Sequence, residues 1–81
     1  MLTIEVRLDG RLFAQIRCKN ESKPGTIVCV YSYIYYAVQD RKVVTGSIEH
    51  DNSETTGELL SKIALDANGK LKELIQEGRT P

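Results

Sequence analysis

Residues 2 to 8 alternate one by one, with Leu2, Ile4, Val6 and Leu8 on one side of an extended chain and Thr3, Glu5 and Arg7 on the other. This period of two predicts a strand with one wet face. Residues 11 to 18 repeat the pattern, setting Leu12, Ala14, Ile16 and Cys18 against Phe13, Gln15 and Arg17. Asp9-Gly10 between the two runs predicts a hairpin, and register selects its turn. A two-residue Asp9-Gly10 loop would pair Val6 with Phe13 and Ile4 with Gln15, bringing Gln15 and Arg17 onto the apolar face. A three-residue loop, Leu8-Asp9-Gly10, pairs Val6 with Leu12, Ile4 with Ala14 and Leu2 with Ile16, and is the expected one.

Residues 26 to 38 form the longest β-favouring run and hold all four tyrosines. In a strand, Ile27, Cys29, Tyr31, Tyr33, Tyr35 and Ala37 share one face, and Val28, Val30, Ser32, Ile34, Tyr36 and Val38 the other. At about 3.3 Å per residue the run would span roughly 43 Å, about twice an ordinary strand, so it is expected to bend or to project beyond its neighbours. Polar residues 19 to 25, ending in Pro24-Gly25, predict a loop before it, and Gln39 to Lys42 a turn after it. Residues 43 to 49 read as a fourth strand in which Val44, Gly46 and Ile48 share a face. Gly46 marks a bulge or the close approach of another backbone.

The period then changes. Residues 50 to 54 are a polar linker, and Thr55 with Glu58 has capping-box spacing ahead of a helical stripe made of Leu60, Ile63, Ala64, Ala67, Leu71, Leu74 and Ile75. Gly78 is the expected stop. The stripe keeps phase across Asn68-Gly69, so one continuous helix is expected despite the glycine.

Assembled, the pattern predicts an α+β fold (ββββα) in a single domain, residues 1 to 81: a four-stranded antiparallel meander followed by one C-terminal helix packed on one sheet face. The helix is expected to cover Leu2, Ile4, Val6, Leu12, Ala14, Ile16 and the aliphatic side of the long strand. The open face would then carry Phe13, Tyr31, Tyr33 and Tyr35 among Arg7, Arg11, Arg17, Glu5 and Gln15. Alternation also allows the tyrosines to turn toward the helix, which would bring Cys18 and Cys29 to one side.

Composition narrows the function classes. Eleven Lys and Arg balance eleven Asp and Glu in 81 residues, which argues against bulk electrostatic attachment to nucleic acid or anionic membrane and leaves little repulsion between copies. No apolar run approaches the roughly 20 residues of a membrane helix, and residues 1 to 7 lack signal-peptide regions, so a cytoplasmic protein is expected. Two cysteines without Cys-x-x-Cys spacing read as buried free thiols. The single histidine, His50, reads as a solvated loop residue whose neighbours Glu49 and Asp51 point away from it, with no metal site and no catalytic dyad. No phosphate loop, dinucleotide fingerprint or paired metal ligands occur, and a fold this small is expected to lack the depth for a usual ligand pocket of roughly 300 Å³ or more unless a dimer makes one. The expectation is a non-enzymatic interaction module, of the accessory or inhibitor kind common among small phage and mobile-element proteins. It would bind a protein partner or a second copy through Arg7, Arg11, Phe13, Arg17, Tyr31, Tyr33 and Tyr35, since Tyr, Phe and Arg anchor interfaces. Base stacking with single-stranded nucleic acid on the same face is the less favoured alternative.

Overall fold

The computed structural model describes residues 1–79. Strands β1 (Leu2–Leu8), β2 (Arg11–Asn20), β3 (Val28–Ala37) and β4 (Lys42–Asp51) form one antiparallel sheet in the order β1-β2-β3-β4, followed by helix α1 (Thr56–Arg79). This is the ββββα meander that the alternating and helical periods predict. Ladder pairing extends β2 to Asn20 and β4 through His50 to Asp51, past the polar boundaries read from the sequence, while β3 is shorter than residues 26 to 38 and matches its neighbours in length.

The first hairpin corrects the expected register. Asp9 and Gly10 both have positive φ, 51° and 80°, the signature of a two-residue type I′ turn whose twist suits the flanking strands. Arg7 pairs with Leu12 and Leu8 with Arg11, but between Val6 and Arg7 the register shifts, and beyond it Val6 faces Ala14, Ile4 faces Ile16 and Leu2 faces Cys18. A bulge at Phe13 reconciles the two demands. The turn keeps its preferred length, and the extra residue brings Val6, Ile4 and Leu2 onto one face with Ala14, Ile16 and Cys18, whereas Leu12, paired with Arg7, lies on the other face and not with the core as expected.

The larger correction concerns which face of β3 is covered. Cys18 pairs with Tyr33 and Ile16 with Tyr35, so the odd-numbered side of β3 lies with the apolar side of β2, under the helix. Tyr33 is only 2% exposed and belongs to the core with Ile16, Cys18, Ala37 and Val44, while Tyr31 and Tyr35 pack against it half-buried. Volume explains the choice. Tyr33 lies in a cross-strand row between Cys18 and Gly46, two small residues, and the helix brings Ala67 into the same core, so a ring fits where aliphatic side chains would leave space. Tyrosine can also be buried because its hydroxyl has a partner, described below. Cys18 and Cys29 are both buried and free on this side.

Thr55 caps α1, accepting the Glu58 N–H at 3.2 Å on its hydroxyl. The helix runs unbroken through Asn68-Gly69 and also through Gly78, which does not stop it. Its buried positions are Leu59, Ile63, Ala67 and Leu71, four residues apart, with Ile75 half-buried. The expected stripe is thereby rotated: Leu59 takes the place of Leu60, and Ala64 and Leu74 face out. The tight link from β4 sets the helix beside its preceding strand, and the helix packs chiefly on β4. The sheet is wider than one helix. Leu2, Val6 and Leu8 on β1 therefore stay exposed, against the expectation that α1 would cover them.

Candidate functional site

With the odd side of β3 buried, the open side of the sheet is lined by the even side. Val28, Val30, Ile34 and Tyr36 on β3 and Val43 on β4 are exposed apolar residues of this side; Tyr36 pairs with Val43 and Ile34 with Thr45, while Ser32 interrupts the row and Glu49 and Asp51 stand opposite Val30 and Val28. Arg17 sits opposite Ile34 and Lys19 opposite Ser32 on the neighbouring strand. An open hollow of about 710 Å³ lies across this middle region, with Arg17, Lys19, Ser32, Ile34, Thr45 and Ser47 among its lining residues. Its breadth comes from the flat sheet rather than from depth.

Of the residues singled out from the sequence, Arg7, Arg11, Phe13 and Arg17 are exposed. Arg7 is tied to Glu5, with Nη2 to Oε2 at 2.9 Å, and donates to the Gly10 carbonyl at 3.1 Å; Arg17 donates to the Met1 sulfur at 3.6 Å. Phe13 stands at the bulge, exposed. Arg11 pairs with Leu8 and lies on the side opposite Arg7, and Tyr31, Tyr33 and Tyr35 are on the helix side. The expected cluster of four rings and three guanidinium groups does not form, because strand alternation and the ladder parity send the tyrosines to the other side of the sheet. On β3 the open side is the aliphatic one that hydropathy places under the helix. The signal that could have found it is the small-large-small row of Cys18, Tyr33 and Gly46, which gives a ring its space only on the helix side.

Under the helix lies a polar cluster. Tyr33 Oη donates to Asp66 Oδ2, Lys70 pairs with the same carboxylate at 3.2 Å and donates to the Thr45 carbonyl at 3.0 Å, and its ammonium stands 5.5 Å from the Tyr33 ring centroid. Gly46 makes room for this assembly. A Cβ there would collide with Lys70 Nζ and come within 2.7 Å of Tyr33 Oη and 2.9 Å of Asp66 Oδ2, so the glycine admits side chains rather than the backbone or bulge expected. Burial, and then the Asp66 carboxylate, push the Tyr33 hydroxyl far above its ordinary range, while the Tyr33 hydrogen bond and Lys70 hold Asp66 below its own. The phenol stays protonated and the carboxylate charged. Their hydrogen bond links the helix to the sheet. Burial likewise raises the Cys18 thiol, which favours its protonated form.

His50 is a correction too. It is a buried residue of β4, 6% exposed, with its ring edge-on to Tyr31 at 6.0 Å between centroids, and not a solvated loop residue. Its Nδ1 is buried without a hydrogen bond, 3.8 Å from Glu54 Oε1. Glu54 is engaged elsewhere: Lys62 lies 2.6 Å away, and the Asp51 N–H donates to it at 3.0 Å. These bonds, that from Lys62 foremost, hold its carboxyl down at about 2. Among the described residues, no group of three or more His, Cys, Asp or Glu is placed to hold a metal ion, and no helix is long and apolar enough to cross a membrane. Compared with protein families, with curated proteins and with solved structures, the chain has no significant match, so its sheet face is read from its own geometry.

Proposed function

We propose that the protein is a non-enzymatic interaction module that binds a protein partner through the open face of its sheet. The observation that carries this reading is the set of apolar side chains Val28, Val30, Ile34, Tyr36 and Val43, left uncovered on a sheet whose other face holds the core. Neighbouring exposed apolar side chains, here Ile34, Tyr36 and Val43, mark interaction sites more often than scattered single residues do, and Val28 and Val30 extend the same side. Arg17 and Lys19 beside these residues supply the polar margin typical of an interface, and Tyr36 the amphipathic ring that such interfaces favour. The anchors thus differ from those expected: Arg17 stays, the apolar residues are new, and Tyr31, Tyr33 and Tyr35 drop out.

The test is affinity capture with wild type and Ile34→Lys side by side. Ile34 is 47% exposed, so the substitution should leave the thermal midpoint nearly unchanged. Loss of a stoichiometric partner that wild type retains supports the face, and retention of the same partner by the variant refutes it.

A second reading is favoured by one feature, the hollow in which Arg17 and Lys19 stand beside hydroxyls from Ser32, Thr45 and Ser47. Such a surface could track a phosphate backbone while Tyr36 and Phe13 stack bases. It predicts binding of a mixed-sequence single-stranded oligonucleotide that weakens as salt rises and is lost in Arg17→Ala. Absent or salt-independent binding excludes it.

A further inference from the structure

The two edges of the sheet are treated differently. At β4 the helix reaches over: Lys62 Nζ donates to the Glu49 carbonyl at 3.2 Å and Lys70 Nζ to the Thr45 carbonyl at 3.0 Å. Alternate residues of an edge strand point their peptide groups outward, and Thr45 and Glu49 share that parity, whereas the Asn52 N–H turns inward to the Ile27 carbonyl at 2.9 Å. Two ammonium groups thus occupy acceptors that an added strand would need, a known defence of sheet edges. The β1 edge lies at the far side of the sheet from this helix.

We infer that β1 is a docking edge for a second copy of this chain, paired antiparallel about a two-fold axis at Val6 to make a continuous eight-stranded sheet. Charge selects the register. With the axis at Val6, Glu5 faces the partner's Arg7 and Arg7 the partner's Glu5, while Val6 meets the partner's Val6 and Ile4 the partner's Leu8. Moving the axis to Glu5 or to Arg7 sets like charges opposite each other at the centre, which is unfavourable. Glu5 and Arg7 are already extended on the same side of the strand, 2.9 Å apart at their charged ends and both substantially exposed.

Backbone geometry agrees. The two-residue turn makes Leu8 and Arg11 the hydrogen-bonded pair that closes the hairpin, so alternation points the peptide groups of Arg7 and Glu5 away from β2. The bulge that interrupts the first hairpin adds its residue, Phe13, to β2, leaving β1 regular along its free edge. Pairing would also shield Val6 and Leu8, which the helix leaves exposed. A chain with zero net charge offers no long-range repulsion to such a dimer. The dimer leaves the open face uncovered and doubles it, so this inference stands or falls independently of what binds there.

The test is the solution mass of the full chain across a concentration range, for wild type, Glu5→Arg, Arg7→Glu and an equimolar mixture of the two variants. The expected result is a dimer for wild type, a loss of at least tenfold in dimer affinity for each variant alone, and a heterodimer in the mixture, where every facing pair is again of opposite charge. Val6→Cys gives a second readout: residues facing each other across the axis are about 4.5 Å apart at Cα in the non-hydrogen-bonded arrangement, within disulfide reach, so mild oxidation should join two copies. A monomeric wild type, a dimer indifferent to Glu5→Arg, a mixture that stays monomeric, or a Val6→Cys variant that does not cross-link overturns the inference.

Discussion

Two tyrosines three residues apart, Tyr33 and Tyr36, lie on opposite faces of β3, one 2% and the other 39% exposed. Replacing each by Ala removes the same atoms from opposite sides of the sheet. For Tyr33 the loss combines the transfer free energy of a buried ring with the cavity left between Cys18, Gly46 and the helix, about 3–5 kcal/mol by analogy with other buried aromatics. Removal of the hydroxyl adds little, because Asp66 is partly exposed and keeps Lys70 as a partner. An 81-residue chain has roughly 4–12 kcal/mol of stability in all, so Tyr33→Ala should be close to unfolding or past it. Tyr36→Ala forfeits only part of a half-buried ring's transfer energy, about 1 kcal/mol. With a midpoint sensitivity of about 4–8 °C per kcal/mol, the first variant should melt at least about 12 °C lower or show no transition, and the second about 5 °C lower. Tyr33→Phe, which keeps the ring, should fall near Tyr36→Ala. Far-UV circular dichroism with thermal and urea denaturation measures all three. Equal losses for the two Ala variants, or Tyr33→Ala within about 1 kcal/mol of wild type, would refute the placement of the tyrosine face under the helix.

Two further outcomes are expected. A Cβ on Gly69 meets nothing within 4 Å, so Gly69→Ala should stabilise by about 1 kcal/mol and raise the thermal midpoint by about 4–8 °C; no gain would contradict a regular exposed helix at that position. Glu54 is held down at about 2 from an ordinary 4.5, first by Lys62, and a carboxyl depressed on folding contributes stability that is present above its ordinary pKa and is lost as pH falls through the folded value. Urea midpoints should therefore decline between about pH 4.5 and pH 2, with Asp66 adding to the same limb, and Glu54→Gln should flatten the decline; an unchanged slope in that variant would remove Glu54 from the account.

Much of the architecture was legible along the chain. The period-two runs at 2 to 8 and 11 to 18, the β-branched run holding the tyrosines and the Thr55–Glu58 cap each depend on neighbours within a few residues, and the strands, their order and the unbroken helix follow from them. Boundaries shifted where pairing decided them. Asn20 and His50 are polar, yet both extend strands because a neighbouring strand is there to bond. The hairpin shows the same limit: Asp9-Gly10 announced the turn and the alternation announced the facing pairs, but a bulge at Phe13 that satisfies both has no local signature.

The interaction surface was legible only in part. Arg7, Arg11, Phe13 and Arg17 stay exposed as the pattern suggested, while Tyr31, Tyr33 and Tyr35 turned inward. Hydropathy ranks valine and isoleucine above tyrosine for burial, and that ranking favoured the wrong side of β3. It omits shape and hydrogen bonding. Gly46 opposite Tyr33, and Asp66 and Lys70 on successive turns of the helix, make a ring-sized, polar-tipped site, and these residues lie 13 to 37 positions from Tyr33 in the chain.

Sequence alone therefore determined the elements, their chain order and the antiparallel meander, because alternation, turn chemistry and capping are local. Tertiary structure alone decided which side of the tyrosine strand is core, why His50 is buried, and which sheet edge is defended by Lys62 and Lys70. Those outcomes depend on volumes and partners that meet only when the helix comes down on β4, and a strand whose two faces are both apolar carries no local preference strong enough to anticipate them.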